Sequence, residues 1–300
     1  MSTKIQKPQP KRGKPLRQIL IPALGAIAGI LMLLYPVVST RIHNADQQRI
    51  ANDFSFTIAK HGQGELEQIL KGADEYNQEL SQGVILDPFL QDVAPNSPEY
   101  QRYLKRLNFD GVMGTVRVPS AKINLPIYHG TFADTLEKGA GHLFGSSLPV
   151  GGKDSHAVIT GHTGLQNATL FDHLDSTKKG DAIYLNVGNR KLKYVVDDIK
   201  VVLPNETESL KRVAGKDLVT LITCTPYGIN THRLLVTGER APMDEVEAKQ
   251  IDAPVNYMEW QWWMIALVAG ATATALVMIA IIWRIILVHK RRNKQENTQE

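Results

Sequence analysis

Leu218-Val219-Thr220-Leu221-Ile222-Thr223-Cys224-Thr225-Pro226-Tyr227-Gly228 is the stretch on which the reading of this chain turns. Residues 218–223 are apolar and β-branched, the composition of a buried strand. Thr225-Pro226-Tyr227-Gly228 reads as a turn. Cys224 therefore stands where a strand meets a loop and can face a cleft. It is the only cysteine in the chain, so no intramolecular disulfide exists. On position alone two readings stay open. A buried structural cysteine behaves as a small hydrophobe. A nucleophilic thiol needs a neighbouring cation or histidine to lower its pKa.

Outward from this strand the same pattern repeats. Residues 112–118, 123–128, 157–160, 182–187, 192–203 and 233–237 are short and rich in Val, Ile, Leu and Thr. Gly188-Asn189 joins two of them as a hairpin. Residues 171–174 read as a helical turn between strands. Many short strands with turn signals predict a sandwich or barrel. Upstream, residues 45–82 are polar, with Leu66, Ile69 and Leu70 at helical spacing. Gly62 and Gly64 are expected to split this stretch into two helices. Residues 84–98 form a loop in which Asp87-Pro88 interrupts an apolar run, because Pro88 biases Asp87 towards extended backbone. Ser97-Pro98-Glu99 marks a helix start, with a short helix over 100–107.

The ends differ in kind. The chain has 300 residues, a formal charge of +4 and a 43% hydrophobic fraction. Residues 19–38 carry no charge and are long enough to cross a bilayer. A second run, 264–283, continues past Arg284 to Val288. Pro22 and Pro36 lie near the ends of the first run, where a missing N–H is tolerated. Lys4, Lys7, Lys11, Arg12, Lys14 and Arg17 precede the first run, and Lys290, Arg291, Arg292 and Lys294 follow the second. Basic flanks stay cytoplasmic, so both termini are expected inside and the middle of the chain outside. Trp260, Trp262 and Trp263 suit the outer interface. The first run exceeds the usual signal-peptide core, so a retained anchor is expected. The basic tail orients the protein, and no nucleic-acid partner is expected. The external segment is long enough to bury a core without disulfides. A lone thiol outside the cell needs a reason.

Other residues suit chemistry. His162 lies in Thr160-Gly161-His162-Thr163-Gly164, where flanking glycines let the backbone turn and leave the imidazole accessible. His142, His156, His173 and His232 are its rivals. Arg233 opens the strand after the Cys224 turn, and adjacent antiparallel strands bring both onto one surface. An arginine there supports an oxyanion or simply pairs on the surface. Asp87 and Phe89 either form an ordinary turn or plug a cleft, the acid pairing an arginine and the ring covering a pocket.

Together these residues resemble the sortase family. Thr220-Leu221-Ile222-Thr223-Cys224 resembles its TLxTC motif, Thr160-Gly161-His162 its histidine motif, and Arg233 falls at the matching place after the cysteine. Residues 141–152 resemble the stretch before that histidine. The likeness covers roughly residues 110–240. It is nearest to class C, the pilin-polymerising sortases, through Asp87-Pro88-Phe89 as an Asp-Pro-aromatic lid and through the second span.

The resemblance implies a mainly β fold, an eight-stranded sortase-like barrel with an N-terminal helical arm and lid, flanked by two transmembrane helices. The expected division is a basic tail 1–18, a span 19–38, arm and lid 41–108, barrel 109–241, linker 242–259, span 260–288 and tail 289–300. It implies Cys224, His162 and Arg233 as catalytic residues, with Thr223, Thr160 and Gly161 binding substrate or supporting the motifs. The implied substrate is an LPxTG-type sorting signal on pilin precursors, with a pilin lysine as acceptor. Leu203-Pro204-Asn205-Glu206-Thr207 is not such a signal and starts a loop. At rest Asp87 is expected to pair with Arg233, and Phe89 to cover Cys224. Rival readings are a sortase that attaches proteins to peptidoglycan and a non-enzymatic assembly module on a two-span anchor. No cofactor is expected, and the absence of CxxC or HExxH pairs argues against a zinc site.

Overall fold

The computed structural model describes residues 15–80, 86–89 and 93–296. The basic flank over 1–14 and the apolar residues Val84, Ile85 and Leu90 lie outside the described residues. The chain divides into two units, 39–259 and the two ends 1–38 with 260–300.

The terminal unit holds the first part of α1 (Pro15–Ala59) and all of α6 (Trp262–Glu296). Leu20–Ala59 and Trp262–Val288 are long and apolar enough to cross a membrane. Their large apolar side chains, such as Leu24, Leu31, Leu276 and Val277, are exposed. α1 does not stop near Pro36 but runs through both Pro22 and Pro36. A proline removes one backbone hydrogen bond, and the sequence after Val38 keeps a helical character that carries the helix past it.

The other unit is built on eight strands: β1 (Gly114–Val118), β2 (Ile123–His129), β3 (Ala140–His142), β4 (Ser155–Thr160), β5 (Ala182–Val187), β6 (Arg190–Val202), β7 (Asp217–Thr225) and β8 (His232–Ala241). They close into a barrel in the order β1-β2-β3-β4-β7-β8-β6-β5. The pairs β2–β3 and β4–β7 are parallel, and the rest are antiparallel. Alternation sorts the side chains. Val219 and Leu221 of β7 enter the main core with Val116, Ile159 and Val236. Ile222 joins Leu143, Val158, Leu210 and Leu235 in a second apolar cluster. β3 has three residues, too few to show a period in the sequence. Gly188 turns the β5–β6 hairpin at φ 59°.

The arm is anchored on both sides of residues 86–89. α2 (Gln63–Glu79) starts after the break at Gly62 and buries Leu66, Leu70 and Ala73. These pack into one core with Phe54 and Ile58 of α1 and with Phe109. Asp74 pairs with Arg190, and the Asn77 side chain bonds both backbone groups of Leu148. α3 (Pro98–Leu104) begins at Ser97, whose hydroxyl accepts from the Tyr100 N–H. It buries Tyr100 and Tyr103. The Tyr103 hydroxyl lies 2.9 Å from His142 Nδ1 and accepts from the Gly130 N–H at 3.0 Å. His142 Nε2 lies 2.8 Å from the Ser147 carbonyl, so Nε2 carries the proton and Nδ1 accepts from Tyr103. Burial pushes His142 down to about 4.

Residues 242–259, expected as a linker, instead contain α5 (Glu245–Asp252) and lie fastened to the barrel. The buried Arg117 donates to the carbonyls of Gln250 and Ala253. Asn52 donates to the Val255 carbonyl, and Lys193 pairs with Glu247. Composition hid this, because α5 is mostly polar and is held largely by hydrogen bonds and ion pairs.

Candidate active site

The barrel brings three chain segments to one end. In the antiparallel β7–β8 pair Cys224 stands opposite Arg233. Directly opposed residues share a face, so thiol and guanidinium are neighbours. β4 runs parallel to β7 with Thr160 beside Ile222. The pairing continues past the strand end. Gly161 N–H donates to the Ile222 carbonyl at 3.0 Å, and Thr223 Oγ1 donates to the Gly161 carbonyl at 2.8 Å. These two bonds carry His162 out beside the Cys224 end of β7. Gly161 is required there because a Cβ would stand 2.6 Å from the Phe171 ring. The buried Thr160 Oγ1 has no hydrogen-bond partner among the described residues.

Residues 86–89 close over this end. Arg233 Nε donates to Asp87 Oδ1 at 2.9 Å and Nη2 to Oδ2 at 2.8 Å. Both side chains are under a tenth exposed. Arg233 Nη1 reaches the carbonyls of Asn230 and His232, so the guanidinium is fixed on every side. The Phe89 ring centre lies 4.9 Å from Arg233 Cζ and 5.4 Å from the His162 ring. Asp87 and Pro88 line a small cleft together with Leu203, Pro204, Leu210 and Ile222.

The electrostatics are those of a resting site. Burial pushes the Cys224 thiol up, Arg233 partly offsets this, and the Asp87 charge pushes it up again. Burial pushes His162 down, opposed by Glu137. Both groups are therefore neutral near pH 7. Among the described residues neither side chain makes a hydrogen bond.

Three rival histidines are engaged by other partners. His142 is fully buried against Tyr103. His156 Nδ1–H donates to the Lys211 carbonyl, and Nε2 accepts from Thr220 Oγ1 at 2.6 Å. His232 pairs with Thr231 at the start of β8. That residues 203–210 wall the cleft is not legible in the sequence, since the fourteen-residue connection between β6 and β7 shows no period of its own.

A family model described as "Sortase domain" matches residues 116–241. Sortase A of Streptococcus agalactiae serotype III (strain NEM316) is 32% identical over 154 residues, which cover 48% of this chain and 62% of that protein. The match thus spans about six tenths of this curated relative's length. Among solved structures, sortase C-1 from Actinomyces oris is 55% identical, with 59% of this chain and 98% of that one covered at a TM-score of 0.58. Streptococcus pneumoniae sortase C, whose structure is described as bearing on pilin substrate specificity, is 44% identical, with 65% and 97% covered at 0.59. Identity of this order across nearly the whole of a solved sortase places the chain in the sortase family of cysteine transpeptidases.

Proposed function

We propose that this chain polymerises pilins. Its substrate is an LPxTG-type sorting signal on a pilin precursor, and its acceptor is a lysine amine of another pilin subunit. Cys224, His162 and Arg233 carry the chemistry. The observation that supports the pilin reading is the Asp87-Pro88-Phe89 segment seated in the cleft and paired with Arg233, in a chain similar to sortases C. The anchor is read from the basic flanks, with both termini cytoplasmic and the barrel outside.

The neutral resting pair defines the order of events. Once Asp87 leaves, the Cys224 proton passes to His162. The thiolate attacks the threonine carbonyl of the signal while Arg233 and a backbone N–H hold the oxyanion. The carbon–nitrogen bond breaks as the imidazolium gives its proton to the leaving glycine amine. His162 then takes a proton from the lysine amine as it attacks the thioester, and the Cys224 thiol is restored. Thr223 and Gly161 hold the two strand ends in register, and Thr160 is fully buried at the end of β4.

The test is incubation with an LPxTG-type peptide, intact-mass analysis, and then addition of a pilin domain or a peptidoglycan stem peptide. An acyl adduct on Cys224, absent in Cys224→Ala and discharged by the pilin lysine, is expected. Adduct formation in Cys224→Ala sinks the assignment. Discharge by the wall amine alone replaces pilin polymerisation with wall attachment. No adduct with any signal leaves the assembly-module reading.

A further inference from the structure

The chain between α2 and α3 is held at a point that the Asp87–Arg233 pair does not explain. The backbone N–H of Leu80 closes the last turn of α2 on Tyr76, and a carbonyl at the carboxyl end of a helix calls for a donor from outside it. Arg212 supplies one. Its Nη1 donates to the Asn77 carbonyl at 3.4 Å, and its Nη2 donates to the Leu80 carbonyl. A guanidinium at the carboxyl end of a helix also meets the negative end of its dipole.

Arg212 belongs to the β6–β7 connection, the segment that walls the cleft through Leu203, Pro204 and Leu210. That connection is pinned next door. The Lys211 carbonyl accepts from His156, whose other nitrogen accepts from Thr220 in the Cys224 strand. α2 itself is fixed to the barrel by Asp74–Arg190 and by Asn77–Leu148. Leu80 is the last described residue of the arm before Leu86. One connection bonds the end of α2 through Arg212 and lines the same cleft as Asp87 and Pro88.

We propose that Arg212 is a second latch of the arm, and that it makes the β6–β7 loop the element through which cleft occupancy and arm position are coupled. A peptide that enters the cleft displaces Asp87 and Pro88 and shifts the wall that carries Arg212. Movement of that wall withdraws the cap from Asn77 and Leu80 and lets the arm leave. The trigger for opening is then an extended peptide in the cleft, acting on the loop rather than on Arg233 alone. This rests on the reading of residues 86–89 as a lid over Cys224.

The experiment is the rate of Cys224 alkylation by a small neutral reagent, measured for the full chain in detergent or bilayer. The variants are Arg212→Ala, Arg212→Lys, Asp87→Ala and the double Arg212→Ala/Asp87→Ala, with thermal melting as control. Arg212→Ala is expected to react several-fold to roughly ten-fold faster with its melting temperature little changed, because two charged contacts to the arm are lost. Arg212→Lys should fall between it and the wild type, since a lysine keeps the charge but not the fork. Asp87→Ala faster with Arg212→Ala at the wild-type rate overturns the latch and leaves the lid. Both unchanged overturns the lid itself. Acceleration in Arg212→Ala that Arg212→Lys does not reduce, with a large fall in melting temperature, also overturns the latch, because the loop has then simply unfolded.

Discussion

Replacing Asp87 with alanine removes the carboxylate that closes the arm and leaves the barrel untouched. In the closed state that carboxylate accepts two charge-assisted hydrogen bonds, at 2.8 and 2.9 Å. Both partners regain water on opening, so the low end of the usual range applies, about 3 kcal/mol for the two bonds together. Half-burial of Phe89 adds about 1.5 kcal/mol, and its contact with the guanidinium about 1 kcal/mol. Ordering residues 86–89 opposes closure by about 1 kcal/mol each, roughly 4 kcal/mol in all. The balance favours the closed arm by about 1.5 kcal/mol, a roughly ten-fold excess. Without the carboxylate the sign reverses, so Asp87→Ala should raise the alkylation rate of Cys224 by about ten-fold and then saturate. The pH profile should move too. Burial and the Asp87 charge both push the thiol up in the closed state. Opening removes both, so the thiolate forms at lower pH and the rate–pH curve shifts to the acid side. Phe89→Ala should do the same to a similar extent. The assay is the second-order rate with a neutral alkylating reagent across the thiol titration. Wild-type rates in both variants at every pH would refute the reasoning.

Acid stability should track the buried histidines. Folding holds His142 neutral with a pKa of about 4 against an ordinary 6.5, so its contribution is complete above the unfolded value and is lost as pH falls from 6.5 to 4. The loss is about 3 kcal/mol for His142 alone, and His129 and His156, which burial also pushes down, add to it. His142→Gln should flatten the acid limb of melting temperature against pH, and an unaltered slope would assign that limb to other groups. Gly161→Ala should reduce transpeptidation by at least about ten-fold, since its Cβ meets Phe171 at 2.6 Å and displaces His162. Phe171→Leu in the same chain should restore part of the rate, and no loss in the single variant would show that the two strand ends tolerate the shift. Arg117→Met leaves the carbonyls of Gln250 and Ala253 without their donor and should destabilise the barrel unit by about 2–4 kcal/mol. An unmoved urea midpoint would show that α5 contributes nothing to that unit.

The legible parts of this molecule are those in which one residue type has one physical outcome. β-branched runs around Thr220 and Ile222 make strands wherever the barrel puts them, and Ser97-Pro98-Glu99 starts a helix by local bonding alone. The opposition of Cys224 and Arg233 follows from two strands and one turn. What escaped the sequence depends on polar contacts between distant segments. Arg117 under α5 is 133 residues from Gln250, and Arg212 is 135 from Asn77. An arginine carries no mark of whether it will meet a carboxylate, a carbonyl or water. The same ambiguity applied to Asp87, whose partner Arg233 is 146 residues away. There a motif resemblance stood in for geometry; for Arg117 and Arg212 no motif did. On the proposed lid reading, the arm is the place where folding and regulation share contacts. Its ends are fixed by apolar burial of Leu70 and Tyr103, which solvent does not compete for, and its middle by charged bonds that water or a peptide can replace. A segment built that way opens at its middle while its anchors hold.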